Sequence, residues 1–298
     1  RSPRSKPTKT YEAMADISKY ILAKHGEHAW AIKMYSYQYF ENTYAITKLG
    51  MTSVGTPSIA PHDKCANTND ATGLDDAARL VLGSPFDYPE HARLWVPQRL
   101  PKPNEPGHPA AVGALAARLA TALGGRCFVL TTTLRALPLV AEALGAAAPQ
   151  LRVLVQGSEP RRSLLQRYGD GRGAVLVGSQ TFWEGIDMPG DALQCVLIDK
   201  LPFPPPNDPL VEARVRQLRA AGRDPFNEHF VAEAAVSLKQ GAGRLIRTES
   251  DRGLLVVADV RLAQMGYGRR LVSALPPMKR LASEDEALAW LAELAAAH

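Results

Sequence analysis

The chain has 298 residues and a formal net charge of +5, and its length suits one large domain or two smaller ones. No apolar stretch approaches the roughly 18 residues that a membrane-spanning helix needs, so we expect no membrane partner and a cytoplasmic location. The cysteines Cys65, Cys127 and Cys195 lie far apart, which argues against a disulfide framework and a Cys-x-x-Cys metal site. The mild positive charge permits an anionic partner without requiring one.

The first 76 residues differ from the rest of the chain. Apolar residues at helical spacing predict a helix from Lys9 to Lys24. An aromatic run, MYSYQYFENTY, follows from Met34 to Tyr44, and a polar stretch from Thr56 to Thr72 predicts irregular structure. We therefore predict that residues 1–76 form a separate short segment that is helical and irregular.

In residues 77–298, short apolar strands alternate with helices. This alternation predicts an α/β fold with a doubly wound parallel sheet that helices cover on both faces. The Pro-rich residues 97–109 are typical of an extended lead-in. The predicted strands are 127–132, 151–155, 174–177, 193–198 and 253–258, and the predicted helices are 134–144, 161–168, 209–220 and 230–247.

The last predicted helix begins at Ser283. The serine, with Glu286 three residues later, is typical of a capping box. The same stretch contains DEAL, which resembles a Walker B sequence. A Walker B acid ends an apolar strand, and none precedes Asp285, so we favour the helix cap.

The stretch QGAGRLIR, from Gln240 to Arg247, predicts a phosphate site. On the predicted helix, Gln240 and Arg244 share a face, and Arg247 follows three residues later. Each of the two glycines costs roughly 0.8–1 kcal/mol relative to alanine, which a helix tolerates where a ligand approaches its backbone. Guanidinium groups donate bidentate hydrogen bonds to phosphoryl oxygens. The alternative is a solvated basic face, which would not need the glycines and the glutamine.

Polar residues also follow the predicted strand at 174–177, in the stretch VGSQTFWEGIDMPG. Ligands of parallel α/β sheets bind at the carboxyl ends of strands. The hydroxyl groups of Ser179 and Thr181 suit a phosphodiester, and the carboxylates of Glu184 and Asp187 suit a ribose hydroxyl or an arginine. A polar loop with an aspartate turn is the alternative, although it accounts for Asp187 alone.

These stretches resemble the motifs of superfamily 2 helicases of the XPD/DinG type. GSQTFWEGIDMPG is similar to motif V, QGAGRLIR to motif VI, CFVLTTTLRAL to motif IV, and LIDKLPFPPPNDPL to the segment after motif V. The resemblance covers about residues 79–298. It implies a RecA-like fold of the P-loop NTPase type and the second motor domain of an ATP-dependent DNA helicase, which couples ATP hydrolysis to translocation on single-stranded DNA and to duplex unwinding.

The resemblance also implies roles for individual residues, because ATP binds between two motor domains in that family. Arg247 would be the arginine finger, Arg244 a second phosphate contact and Gln240 a γ-phosphate sensor. The residues implied on the ATP side are Glu184, Gly185, Asp187 and Gly243. The residues implied in contacts to the DNA backbone are Thr131, Thr132, Thr133, Arg135, Gln180 and Thr181.

The first motor domain of such helicases has no counterpart in the sequence. We find no GxxxxGKS or GxxxxGKT, no strand-ending Walker B acid, and no four-cysteine set for the iron–sulfur cluster that many of these helicases carry. The resemblance thus implies that ATP and Mg²⁺ are held mainly by a missing N-terminal motor domain, and that the isolated chain is inactive. The implied partners are that domain, single-stranded DNA and duplex junctions, with the protein as a monomer.

Residues 8–77 resemble a different family. WAIKMYSYQYFENTYAITKLG and GTPSIAPHDKCANTNDATGLDDA are similar to arsenite-oxidase large subunits of the molybdopterin oxidoreductases. This implies a redox-enzyme fragment in which His62 corresponds to a pocket histidine, or is simply a loop histidine. A joined reading frame or a natural fusion could explain the two resemblances. A helicase motor domain, an oxidoreductase fragment and a noncatalytic nucleic-acid-binding module remain the candidate functions.

Overall fold

A computed structural model describes residues 16–17, 19–20, 23–24, 86–169, 173–179, 182 and 192–297, with the backbone alone of 32–35 and 59–62. The chain divides into two units, Arg1–Leu82 and Gly83–His298. Each unit is described by itself. The domain boundary that the sequence places between residues 76 and 77 stays a prediction.

The N-terminal unit contains a pair of strands that the sequence did not predict. Residues 16, 17, 19, 20, 23 and 24 are helical, within the predicted helix. Strand β1 (Ile32–Tyr35) pairs in parallel with β2 (Ile59–His62). The prediction of irregular structure was therefore wrong at β2, because this short strand is defined by a partner 27 positions earlier in the chain and not by local alternation. The side chain of His62 lies outside the described residues.

A parallel seven-stranded sheet organises the second unit, and it confirms the predicted α/β fold. Its order is β5-β6-β4-β7-β8-β3-β9, and every neighbouring pair is parallel. The strands are β3 (Ala92–Trp95), β4 (Cys127–Thr131), β5 (Arg152–Val155), β6 (Ala174–Ser179), β7 (Cys195–Ile198), β8 (Gly253–Val257) and β9 (Lys279–Leu281).

The helices connect these strands and cover the sheet. They are α1 (Tyr88–His91), α2 (His108–Leu123), α3 (Ala136–Ala147), α4 (Arg161–Gly169), α5 (Pro209–Ala220), α6 (Val231–Ala242), α7 (Arg261–Gln264), α8 (Gly268–Ala274) and α9 (Glu284–Ala296), with a π-helix (Phe226–Phe230) directly before α6.

Both faces of the sheet are buried, which explains why its strands are continuous apolar runs. In β4, Phe128 and Leu130 point to the core beneath α4, α6 and α8. Cys127 and Val129 point to the opposite core, beneath α2, α3 and α9. Polar and apolar residues therefore do not alternate along the strand, although successive side chains do alternate between the two cores.

Helix α6 ends five residues earlier than the sequence predicted. It stops at Ala242, and the hydrogen bonds that follow join residues three apart, as in a turn, and not four apart, as in an α-helix. Arg244 N donates to Gly241 O (3.2 Å), and Leu245 N donates to Ala242 O (3.1 Å). The prediction that Arg244 and Arg247 lie on one helical face with Gln240 was therefore wrong. Gly243, at the helix end, removes the side chain that would favour continuation.

Other boundaries also differ from the predictions. Helix α3 starts at Ala136 rather than Leu134. Turns and bends occupy much of residues 97–107, and α2 begins at His108, inside the predicted lead-in. The sequence did not predict α2, β3 or β9. Strand β3 was missed because the charged Arg93 interrupts its apolar run. The guanidinium of Arg93 lies 4.0 Å from the ring centre of Trp290 and donates to the carbonyl of Glu90 (2.9 Å).

The predicted cap of the last helix is confirmed, with a small shift. Ser283 Oγ accepts a hydrogen bond from Glu286 N (3.2 Å). The carboxylate of Glu286 accepts from Ala282 N (2.8 Å), one residue before the position that a capping box uses. The acidic DEAL stretch therefore begins α9 and does not end a strand.

Two glycines inside helices test how closely α2 and α3 pack. A Cβ on Gly113 of α2 would lie 2.6 Å from Ala143 Cβ and 2.6 Å from Val140 O, whereas a Cβ on Gly145 of α3 would meet nothing within 4 Å. We predict that Gly113→Ala lowers the free energy of unfolding by about 1–3 kcal/mol through overpacking. Gly145→Ala should raise it by roughly 0.5–1 kcal/mol through helix propensity.

Urea unfolding of the two variants, followed by circular dichroism, would measure both changes. Equal effects of the two substitutions would contradict the close approach of α2 to α3, because the intrinsic helix preference is the same in both.

Candidate functional site

The carboxyl ends of β4 and β7 form the topological switch point of the sheet. The chain leaves β4 through α3 on one face and moves towards β5, and it leaves β7 through α5 and α6 towards β8 on the other side. Because the two connections diverge, a crevice opens between these strand ends. Ligands of open α/β sheets bind at such a crevice.

Asp199 lies in this crevice and joins the two strand ends. Its carboxylate is almost fully buried and accepts hydrogen bonds from Thr132 N (2.9 Å) and Lys200 N (2.7 Å). Burial raises the pKa of Asp199 to about 6, although the bond from Thr132 and the charge of Lys200 oppose this change. The loop after β4 is therefore held to the end of β7 by an acid that titrates near neutrality.

Asp259 extends this edge to β8. It is fully buried and accepts hydrogen bonds from Leu201 N (2.8 Å) and from Nη2 of Arg261 (2.7 Å). These bonds raise the pKa of Arg261. Nearby, Nε2 of His108 lies 3.0 Å from Ala258 O, and burial lowers the pKa of His108. Neutral His108 thus donates to the carbonyl next to Asp259.

The predicted DNA contacts after β4 lie at the same edge. Thr131 is buried, and its hydroxyl lies 3.5 Å from Gly178 O on β6. Thr133 and Arg135 are exposed. Arg135 occupies the N-cap position of α3, which has no side-chain cap. Ala136 N donates to Thr133 O (3.2 Å), and Pro138 in the first turn has no N–H group, so the exposed side chains of Thr133 and Arg135 are the donors at this helix end.

The predicted catalytic arginines lie in a loop that Asp251 organises. Asp251 is buried, and its carboxylate accepts from Arg247 N (2.8 Å), Thr248 N (2.9 Å) and the Thr248 hydroxyl (2.6 Å). Burial lowers the pKa of Arg247, whereas Asp251 raises it. Arg244 and Arg247 are half-buried, and the loop that holds them is fixed by a carboxylate.

Close packing against β8 fixes the same loop. A Cβ on Gly253, the first residue of β8, would lie 2.5 Å from Leu245 Cδ1 and 2.8 Å from Gln194 O. Leu245 can therefore lie flat on the start of this strand because Gly253 has no side chain. Gln240 is half-buried in the last turn of α6, and Gly243 is exposed at its end.

The structure places the two predicted groups at opposite edges of the sheet. Thr131 to Arg135 follow the carboxyl end of β4, whereas Arg247 and Asp251 come just before the amino end of β8, which is parallel to β7 and β4. Strands of five residues separate the edges by about 17 Å. The other predicted site residues, Gln180, Thr181, Glu184, Gly185 and Asp187, lie outside the described residues.

The sequence predictions missed Asp199, Asp251 and Asp259. Asp199 and Asp259 directly follow the apolar stretches CVLI and LLVVA. The prediction that no acid follows an apolar strand was therefore wrong. Asp251 had no such signal, because its role depends on a turn after α6.

Neither a membrane span nor a metal cluster is found among the described residues. No helix in the part of the chain that the structure describes is long and apolar enough to cross a bilayer. The same part contains no group of three or more His, Cys, Asp or Glu side chains that could hold a metal ion.

The buried Asp199 gives the protein a specific pH dependence. Its raised pKa means that the folded protein keeps a proton that the unfolded chain loses between about pH 4 and 6, so this group's contribution to stability falls as the pH rises through that window. We predict that Asp199→Asn is more stable relative to the wild type at pH 7.5 than at pH 4 by about 2 kcal/mol.

Denaturant unfolding of both proteins at the two pH values would measure this difference. Because His108 titrates in both proteins, its contribution cancels. A difference in stability that does not change between pH 4 and 7.5 would contradict a raised pKa for Asp199.

Comparisons with known proteins agree with this architecture. Residues 116–278 match the helicase C-terminal domain family. The chain is 40% identical over 235 residues to the ATP-dependent DNA helicase YoaA of Escherichia coli, which covers 79% of this chain and 37% of that protein. Its fold resembles that of Xpd4 from S. tokodaii, with a TM-score of 0.55 at 14% identity, over 81% of this chain and 48% of that one.

A shorter match involves a different protein. Over 66 residues the chain is 82% identical to the iodate reductase subunit IdrA of Denitromonas iodatirespirans, which covers 22% of this chain and 7% of that subunit. The chain spans just over a third of the length of YoaA. The resemblance of residues 79–298 to XPD/DinG-type helicases is thus confirmed at the level of the domain, and the chain belongs to the helicase C-terminal domain family.

Proposed function

We propose that residues 77–298 are the second motor domain of an ATP-dependent DNA helicase of the DinG/YoaA type. The observation that carries this proposal is that two pairs of residues able to bind phosphate lie at opposite edges of one sheet: Thr133 with Arg135 after β4, and Arg244 with Arg247 before β8. A motor domain needs two such edges, because it must contact a nucleotide and a DNA strand at the same time.

The carboxyl edge suits the backbone of single-stranded DNA. The exposed hydroxyl of Thr133 and guanidinium of Arg135 lie at the start of α3, and both can donate hydrogen bonds to phosphate oxygens. Such contacts bind phosphates without reading the bases. Thr132 is held at this edge by the bond from its backbone N–H to Asp199. Gln180 and Thr181, which lie outside the described residues, are the remaining proposed contacts to the DNA backbone.

The arginine loop suits the phosphates of ATP. Asp251 fixes the backbone at Arg247, so the guanidinium starts from an ordered position and can stabilise charge on the transferred phosphoryl group. Arg244 and Gln240 are the additional phosphate contacts in this proposal, with Gly243 leaving the helix end open. Glu184, Gly185 and Asp187 complete the proposed ATP side.

The residues present fit the phosphates of the nucleotide better than its metal. Two half-buried arginines match the charge of a polyphosphate, whereas the described residues contain no group of three or more His, Cys, Asp or Glu side chains that could hold a metal ion. We therefore propose that the metal and most of the nucleotide are held by a first motor domain, which acts as partner to this one.

We further propose that residues 1–76 come from an oxidoreductase subunit. The support is the 82% identity over 66 residues to the iodate reductase subunit, a length close to that of the segment 8–77. Residues 77–298 alone should then bind DNA as tightly as the full chain. Sequencing the genomic locus across codons 70–80 would show whether one reading frame contains both parts.

Binding to single-stranded DNA tests the proposed function. We predict weak binding of the full chain to a labelled oligothymidine, with an affinity that falls steeply as salt rises because phosphate contacts release counterions. Arg135→Ala should reduce the slope of log K against log salt by about 0.7. Arg280→Ala, which removes an exposed arginine from the edge strand β9, is the matched control and should leave the slope unchanged.

Fluorescence anisotropy at several salt concentrations would measure these slopes. An affinity that does not depend on salt, or equal effects of the two arginine substitutions, would contradict a DNA site at the carboxyl edge.

ATP hydrolysis gives a second test. We predict negligible turnover by the full chain with saturating single-stranded DNA, because it has no GxxxxGKS or GxxxxGKT loop to hold the phosphates. A phosphate-release assay would measure the rate. Steady turnover of several per second that Arg247→Ala abolishes would show that this chain contains a complete ATPase site.

A further inference from the structure

Four aromatic side chains form a cluster at the surface of the second unit. The aromatic cluster consists of Phe203, Phe226, Phe230 and Tyr267. The ring of Phe226 lies 5.8 Å from Phe203, 6.3 Å from Phe230 and 5.3 Å from Tyr267, measured between ring centres. Phe226 is nevertheless 43% exposed, so its ring is supported by three neighbours and open to solvent.

The cluster lies at the carboxyl edge of the sheet. Phe203 comes five residues after the end of β7, and Tyr267 follows β8 through α7. Leu201, two residues before Phe203, donates to Asp259 at the end of β8. By the strand order, β7 and β8 lie about 5 and 10 Å from β4, so the cluster follows strands that neighbour the loop after β4.

Arginine side chains surround the cluster, and acids accompany them. The guanidinium of Arg261 lies 5.7 Å from the ring centre of Phe203, and Asp259 holds it there. Arg270 donates to Asn227 Oδ1 (2.7 Å), and Arg223 forms an ion pair with Glu228. Arg261 and Arg223 are thus paired with acids, whereas Arg270 is bonded to a neutral amide. The cluster therefore offers a ligand an aromatic surface with a positive charge beside it.

We propose that the aromatic cluster is a base-stacking platform for single-stranded DNA, with the exposed ring of Phe226 as its contact surface. This inference rests on the proposed function. The continuity of the edge supports it: a strand whose phosphates contact Thr133 and Arg135 reaches the cluster within a few nucleotides. Every base can stack on an aromatic ring, so the contact does not depend on sequence. A motor that translocates along DNA requires such a contact.

The π-helix gives Phe226 its exposed position. Asp224 accepts from Phe226 N (2.9 Å) and from the side chain of Asn227, which fixes the first turn of the π-helix. Phe226 and Phe230 are four residues apart and stack with an angle of 25° between their rings. The second phenylalanine therefore supports the first, and Phe226 is free to contact a ligand.

The full chain and two oligonucleotides test the platform. One probe is a labelled oligothymidine, and the other is an abasic oligonucleotide of the same length, which keeps the phosphates and lacks the bases. We expect Phe226→Ala to weaken binding to oligothymidine by roughly 5- to 100-fold and to leave binding to the abasic probe unchanged. Phe226→Leu, which keeps an apolar side chain without a ring, should weaken binding to a similar extent.

Tyr20→Ala is the matched control. Tyr20 is another exposed aromatic residue with a cation near its ring, the ammonium of Lys24 at 5.4 Å, and it belongs to the N-terminal unit. Its removal should leave binding to both probes unchanged. Circular dichroism should show that every variant is folded at the assay temperature. The melting temperature of Phe226→Ala should be somewhat lower than that of the wild type, because the ring packs against three aromatic neighbours.

Several outcomes would overturn the platform. Unchanged binding of Phe226→Ala to oligothymidine would show that the cluster contacts something other than DNA, and the proposed function would stand if Arg135→Ala still weakens binding. Equal losses with both probes would show an effect without stacking. Wild-type binding by Phe226→Leu would show that an apolar surface suffices. A wild-type chain that binds neither probe would instead overturn the proposed function itself.

Discussion

The hydrogen bond from Thr132 N to Asp199 is the contact on which the carboxyl edge depends. It joins the ends of β4 and β7, the two central strands whose connections diverge to opposite faces of the sheet. Without this hydrogen bond, the loops that follow the two strands would be free to move independently. Ordering one residue costs about 1–2 kcal/mol in backbone entropy. Asp259 repeats this arrangement between β7 and β8, so two buried carboxylates hold three strand ends in one register.

Buried carboxylates are an unusual choice for this purpose, because burial disfavours the charged form. The raised pKa of Asp199 measures that cost, which hydrogen bonds from Thr132 and Lys200 offset only in part. Asp259 differs because Arg261 supplies an opposite charge next to it. The two acids therefore fix neighbouring strand ends by different means. At the switch point, burial raises the pKa of the acid to about 6, whereas the acid beside the aromatic cluster is supported by an ion pair.

Much of the architecture could be predicted from the sequence, and the reasons are physical. Strands β4, β6, β7 and β8 are apolar runs because both faces of the sheet are buried, and the Ser283 cap is a local signal that needs no tertiary information. The end of α6 could not be predicted, because Arg244 and Leu245 turn back where Leu245 packs on Gly253 and Asp251 binds the loop. These are tertiary contacts, and the helical spacing of apolar residues in the sequence does not reveal them. The strand β3 was missed for a similar reason, since its Arg93 is buried against Trp290.

Helix α6 connects the two edges that the proposed function requires. It follows the π-helix of the aromatic cluster at the carboxyl edge, and it ends at Ala242, before the arginine loop at the amino edge. Its 12 residues span about 18 Å, which is close to the height of a five-residue strand. Ala234 and Leu238 of α6 are fully buried in the core, so the helix packs firmly against the sheet. Because the cores of proteins are close-packed, α6 is held by its contacts with β7 and α8, and Phe226 and Gln240 lie at opposite ends of this one continuous helical segment.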